Sequence, residues 1–193
     1  MFGLSNRPTP VNNSFSAQQF NELKSVYKAL GGLLDQVPVR FGAWDIVTPD
    51  FIIELDEEQH FNRYRMQTLN ASLYHDYPWF DVSKYKAYCT VMEDNCLKKA
   101  KRGGYWKNDS TTKQFGAASN NGDLTGNGSP RWKQRAFYDY CRDFVGKVNN
   151  LPVYRFSIYD EINNKGNMIE LGVALSQGRK DAVISFLNAK INN

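Results

Sequence analysis

From Phe51 to Asp56 the chain reads FIIELD, with Phe51, Ile53 and Leu55 on one side of an extended segment and Ile52, Glu54 and Asp56 on the other. That alternation predicts a strand with at least one face in a core. Just upstream, VRFGAWDIV is a second strand candidate, and Thr48-Pro49-Asp50 between them reads as a turn, so the pair is expected to form a hairpin. Earlier still, Phe20, Leu23, Val26, Tyr27 and Leu30 recur at helical spacing. Ser16 and Gln19 form a capping box that opens this helix, and Gly31-Gly32 closes it.

Beyond the hairpin the pattern alternates between helical and irregular. RYRMQTLNASLY and KAYCTVMEDNCLKKAK carry helical spacing, while YHDYPWFDVSKY between them is aromatic and irregular. Residues 103–129 are rich in Gly, Asn, Ser and Thr and predict a long loop or mobile flap. Ser129-Pro130 then opens a helix over RWKQRAFYDYCRDFVGKV, with proline at its favoured first position. LPVYRFSIYDE reads as a strand, NMIELGVALSQG as a short helix ending at Gly178, and DAVISFLNAKI as a final element of unassigned type. The fold class that follows is α/β (α+β), a mixed central sheet flanked by helices. Residues 1–15 are expected as a flexible arm and 16–193 as a single domain, with 63–129 as an inserted basic and loop-rich region.

Composition narrows the class. At 193 residues, 41% hydrophobic and 14% aromatic, the chain can bury a sizeable core, and no apolar run approaches the roughly 18 residues that span a bilayer. The first fifteen residues lack the basic start and apolar centre of a signal peptide, so a cytoplasmic location is expected. Cys89, Cys96 and Cys141 are odd in number and lack CxxC spacing, which reads as buried thiols rather than a disulfide framework or a zinc site. Charge is unevenly spread. Lys98, Lys99, Lys101, Arg102, Lys107, Lys113, Arg131, Lys133 and Arg135 face only Asp109 and Asp123, giving +7 within a chain of +4 and leaving −3 elsewhere. A basic stretch beside an acidic centre suits a protein that grips a polyanion and keeps carboxylates for another task.

The acids concentrate at the end of the FIIELD strand. Counting back through the turn puts Asp45 opposite a residue near 53 to 54, so Asp45, Glu54 and Asp56 would converge on one face. Like charges so close need neutralising, and oxygen-only ligands around an open site suit Mg²⁺ or Mn²⁺. A polar strand exit into solvent is the simpler alternative for the same residues. Arg155, among apolar neighbours in VYRFSIY, needs a partner. A site carboxylate, a phosphate, or Asp160 or Glu161 nearby would each serve.

The order helix, strand, turn, strand with acids, then Gln59-His60 resembles the core of PD-(D/E)XK-type nucleases, most closely the branch with the very-short-patch-repair endonucleases. In that branch an aspartate ends one strand, and an acid-x-Asp group followed by Gln-His ends the next. Here those positions read Asp45, Glu54-Leu55-Asp56 and Gln59-His60. The likeness covers residues 17 to 62 and 130 to 175 and departs from the pattern in two respects. The literal Pro49-Asp50 pair sits in the turn, too close to Glu54 to supply the separate first ligand, which falls to Asp45 instead. Asp56 stands where the class has its lysine, and no lysine occurs between Lys28 and Lys84.

The resemblance implies a restriction-endonuclease-like core and Mg²⁺-dependent phosphodiester hydrolysis in DNA, in a restriction, repair or phage-defence role. Asp45, Glu54 and Asp56 would hold metal, and Gln59 and His60 would orient or deprotonate water. Lys98, Lys99, Lys101, Arg102, Tyr105, Trp106, Lys107, Arg131, Lys133, Arg135 and Arg155 would bind nucleic acid, bases by charge and aromatics by stacking. Double-stranded DNA is expected ahead of single-stranded DNA, with RNA a further option, and a homodimer would suit cutting both strands. The missing lysine keeps open an alternative, a nuclease fold that binds nucleic acid without cutting it. A third reading is a different protein in which the acidic strand end is incidental.

Overall fold

A computed structural model describes residues 14–40, 42–100 and 106–192. Most of the expected arm (residues 1–13), and Lys101, Arg102 and Tyr105 of the basic segment, lie outside the described residues. Of the arm, Phe15 is described, and its ring meets Phe144 edge-on at 5.8 Å.

Helix α1 (Ala17–Ala29) starts on the Ser16/Gln19 capping box and buries Leu23 and Tyr27. The hairpin follows as β1 (Ile46–Val47) and β2 (Ile52–Asp56), antiparallel, with Ile46 opposite Ile53. A 3₁₀ turn over Glu58–His60 leads into α2 (Arg63–Thr68), a second 3₁₀ turn over Ser72–Tyr74, α3 (Val82–Val91) and α4 (Glu93–Ala100). Then come α5 (Asp109–Phe115) and the long α6 (Pro130–Val148), capped by Ser129 with Pro130 in its first turn. Strand β3 (Val153–Ser157) pairs parallel to β2, giving a mixed sheet of order β1-β2-β3. A separate hairpin of β4 (Glu161–Asn164) and β5 (Asn167–Glu170), then α7 (Leu171–Ser176) and α8 (Lys180–Ile191), completes the described chain.

The period-two alternation of β2 divides two cores. Ile52 and Val153 belong to the large cluster with Tyr27, Phe137, Tyr140 and Phe144. Ile53 and Phe156 belong to a smaller one with Ile162, Leu171 and Ala174, against which Phe186 and Leu187 of α8 pack. Glu54, Asp56 and Arg155 therefore share the face turned to α6, inside the larger core. Helix α6 comes close to the sheet because Gly146 has no side chain. A Cβ there would sit 2.5 Å from Val153 Cγ2 and 2.9 Å from the Leu151 carbonyl oxygen.

Several expectations are corrected. Among the described residues of VRFGAWDIV, only Ile46 and Val47 join the ladder: the Asp45 N–H goes to the Glu54 side chain, the Ala43 carbonyl to Arg142, and the Val39 and Arg40 N–H groups close tight turns. Residues 103–129 are not one loop. Asn108 and Thr111 cap each other reciprocally and start α5, a signal hidden by the polar composition. The stretch after α5 is tied down by Asn127 Nδ2, which donates to the carbonyls of Phe115 and Ala117, and by Ser119 Oγ, which donates to Thr125. The start of NMIELGVALSQG is strand β5, closed against β4 by a turn with Lys165 and Gly166 at positive φ. Helix begins only at Leu171, and DAVISFLNAKI is helical throughout. Within the stretch 63–129, Tyr64, Tyr74, Tyr85, Trp106 and Phe115 belong to the main core.

Candidate functional site

Strand β2, the 3₁₀ turn after it, and α6 bring a set of ionisable groups together. Residues Asp139, Arg142 and Asp143 lie at i, i+3 and i+4 on α6, so one helical face presents all three toward the strand ends. Asp139 and Asp143 are fully buried, Asp56 is 1% exposed and Glu54 4%.

Arg155 is the hub. Its Nη1 donates to both oxygens of Asp56 (2.7 and 3.0 Å), its Nε to Asp143 Oδ1 (2.6 Å) and its Nη2 to the Asp139 carbonyl (3.2 Å). Of the partners open to it in the sequence, it takes a site carboxylate. Arg65, on α2, closes the far side of the network by donating to Asp143 Oδ2 at 2.7 Å and to the Tyr74 hydroxyl at 2.9 Å. Burial pulls the pKa of both guanidiniums down, but Tyr74 and Asp143 around Arg65, and Asp143, Asp56 and Asp139 around Arg155, hold them above the ordinary arginine range.

His60 sits at the open side of this network, with a side chain 18% exposed. Its Nδ1 is 2.8 Å from Asp139 Oδ2 and 3.2 Å from Asp56 Oδ1, while Nε2 makes no hydrogen bond within the described residues. Burial works to raise the Asp139 carboxyl, yet His60 and Arg155 outweigh it and hold that group well below the usual carboxylate range. Among the described residues, Asp56, His60 and Asp139 are the one group of three or more potential metal ligands whose atoms lie within 4.8 Å of one another.

Glu54 stands two residues back on the same strand face. Desolvation pushes its pKa up to about 7, against the pull of Arg142 and Arg155. Arg142 Nε lies 3.4 Å from Glu54 Oε2 while its Nη1 donates to Asp139 Oδ1 at 3.3 Å, so it links Glu54 to the His60 cluster. Asp45 is opposite Glu54, as the hairpin count required. Its backbone N–H donates to Glu54 Oε1 (3.3 Å), and its own carboxylate accepts from the Leu55 N–H (2.8 Å). Asp45 thus meets the backbone of β2, and the acid that joins Asp56 comes from α6. Gln59 is buried, and its carbonyl accepts from Asn62 Nδ2.

The residues expected to bind nucleic acid separate. Trp106 and Trp132 meet edge-on at 5.2 Å inside the core, so neither offers a ring face for stacking on a base. Lys133 is buried; its Nζ donates to Asn127 Oδ1 at 2.6 Å and lies over the Tyr64 ring. Arg155 is spent on the carboxylates. Lys98 and Lys99 line a cleft of about 580 Å³ with Glu57, Glu58 and Glu170, and Lys107 is exposed. Arg131 and Arg135 remain half-exposed on α6.

Sequence reasoning missed Asp139, Asp143, Arg65 and Arg142. One signal was available for the first two: they stand four apart within the apolar stripe of α6, among Ala136, Phe137, Tyr140 and Phe144. An acid in such a stripe needs a buried cation. No helix among the described residues is long and apolar enough to cross a membrane. No curated protein and no solved structure matches the chain. The model of a family of unknown function, DUF7255, matches residues 25–177, and the chain belongs to that family.

Proposed function

We propose that the protein is a metal-dependent phosphodiesterase of nuclease type acting on DNA. The observation that carries this reading is the meeting of Asp56, His60 and Asp139 at the end of β2, beside Glu54. The 2.8 and 3.2 Å separations from His60 Nδ1 are close to the ~3 Å expected between adjacent ligands bound at about 2.1 Å. Two carboxylates and an imidazole fit a divalent cation, and the nitrogen makes Mn²⁺ a better fit than Mg²⁺. When bound, such an ion lowers the pKa of water and polarises a phosphate oxygen.

The chain's own groups supply the rest. Glu54, with its pKa at about 7, can take a proton from water and return it near neutral pH, the range in which a general base is most effective. Asp45 positions Glu54 through its backbone N–H. With His60 Nδ1 turned to the acids, Nε2 is left to bond a phosphate or leaving oxygen. A reducing cytoplasm is the compartment we favour, because the three cysteines are buried and free.

A second reading, a nuclease fold that binds DNA without cutting, is favoured by one contact. Arg155 already neutralises Asp56 at 2.7 Å and would compete with an ion for that oxygen. Cleavage of a supercoiled plasmid with Mn²⁺, Mg²⁺ or EDTA separates the two. We expect nicking with Mn²⁺, its loss in EDTA, and at least a ~100-fold lower rate in Glu54→Gln and His60→Ala with DNA binding retained. We also expect Mn²⁺ to raise the melting temperature of the wild type and not of Asp139→Asn. DNA binding with no cleavage in any divalent metal, and no Mn²⁺-dependent melting shift, would leave the second reading standing.

A further inference from the structure

The outward side of α6 carries a second pattern. Arg131, Arg135, Tyr138 and Arg142 are all half-exposed and follow one another at steps of four, three and four, which confines them to a stripe roughly 60° wide. Asp139 and Asp143 lie next around the helix, turned inward to Arg155. The stripe thus begins in the first turn of α6 and ends at Arg142, which is already tied to Glu54 and Asp139.

Its first two cations are poorly accommodated by the protein itself. Among the described residues neither Arg131 nor Arg135 has a carboxylate within ion-pair distance, and the side-chain contact of Arg131 is the oxygen of Gln134 at 2.5 Å. Burial and the charge of Arg135 both hold Arg131 below its ordinary pKa. The first turn of α6 has no acidic residue, although a helix N-terminus favours anions and disfavours cations. Like charges at i and i+4 repel as well. Arg40, exposed in the segment before β1, adds a third charge that acts on the Tyr138 hydroxyl together with Arg131. Cations arranged against their local electrostatics, with no compensating charge among the described residues, call for an anion from outside.

We propose that this stripe is a track for the phosphate backbone of one DNA strand, which it leads along α6 to the Asp56–His60–Asp139 centre. The proposal rests on the phosphodiesterase reading and specifies how substrate enters. Arg131, Arg135 and Arg40 neutralise successive phosphates, and Tyr138 lies between them. One step from Arg131 to Arg135 rises about 6 Å, and the stripe as far as Arg142 rises about 16 Å, enough for a short run of phosphates. Lys133, on the opposite side of the helix and bonded to Asn127, takes no part.

The test is the salt dependence of binding, by fluorescence anisotropy of a labelled duplex and the full chain. Each phosphate contact contributes about 0.9 to the slope of log K against log salt on duplex DNA, and about 0.7 on a single strand. The double variant Arg131→Gln/Arg135→Gln should therefore lower the slope by about 1.8, and by about 1.4 on a single strand. Arg131→Lys should keep the wild-type slope, which separates lost charge from lost fold. Arg179→Gln/Lys180→Gln, on exposed positions at the start of α8, should change nothing. An unchanged slope in the α6 double variant, or an equal loss in the α8 pair, overturns the track. Plasmid nicking with Mn²⁺ on the same samples keeps the two ideas apart. A reduced slope in the α6 variant while the wild type fails to nick upholds the track and sinks the hydrolase, whereas wild-type nicking with an unchanged variant slope does the reverse.

Discussion

Arg155 is a guanidinium with no exposed side-chain surface, held by carboxylates from both β2 and α6. Removing one partner of a buried ion pair costs about 3–5 kcal/mol because the charge left behind has nowhere to go. Arg155→Met would take the guanidinium from Asp56 and leave Asp143 with Arg65 as its cation, and we expect its urea midpoint to show a loss in that range; a loss under about 1 kcal/mol would mean the acids simply take up protons. Glu54 gives a prediction of the opposite kind. Its folded pKa lies above that of an unfolded glutamate, so the folded chain holds a proton that the unfolded chain releases. The resulting stabilisation is complete at low pH and is lost as pH rises through about 7, a swing of about 3 kcal/mol. Glu54→Gln cannot titrate. The stability difference between wild type and this variant should therefore shift against the wild type between about pH 5 and pH 8. A difference that stays flat across that window would contradict the desolvated carboxyl.

At the scale of elements, α6 does most to join the fold to the site, since it carries Asp139, Arg142 and Asp143 and rests on β3 through Gly146. Gly146→Ala would drive a methyl into Val153 and the Leu151 carbonyl. Overpacking of this kind costs about 1–3 kcal/mol, so a lowered melting temperature is expected, with the wild-type value as the outcome that contradicts it. This helix was also among the most legible parts of the sequence, because Ser129, Pro130 and a long amphipathic run are all local signals. The same holds for α1 and for the alternation of β2. What stayed hidden is what depends on distance along the chain. The partner of His60 is 79 residues away, and that of Asp56 is 99 residues away, so no local spacing could reveal either. Asp45 and Glu54 were paired correctly because a short turn fixes their register; Asp139 was missed because a helix packed across a sheet does not. Helix α5 was missed for a different reason: its capping residues, Asn108 and Thr111, are also loop formers.

Across the whole molecule, the charge asymmetry read from the sequence divides into three environments. Lys133 is interior, Lys98 and Lys99 face acids in a cleft, and Lys107, Arg131 and Arg135 keep exposed surface, the two arginines on the outer side of α6. A sequence count treats all of these bases alike, whereas the fold leaves only some of them able to meet a polyanion. The parallel pairing of β2 with β3 has one more consequence, for the order in which the chain is made. Asp56, Asp139 and Asp143 are all synthesised before Arg155, so a nascent chain that has reached the end of α6 carries three acids destined for the interior and lacks their principal counter-ion. Closing the core around those acids is costly until β3 emerges, so a stalled product ending before β3 should be a prompt substrate for proteases.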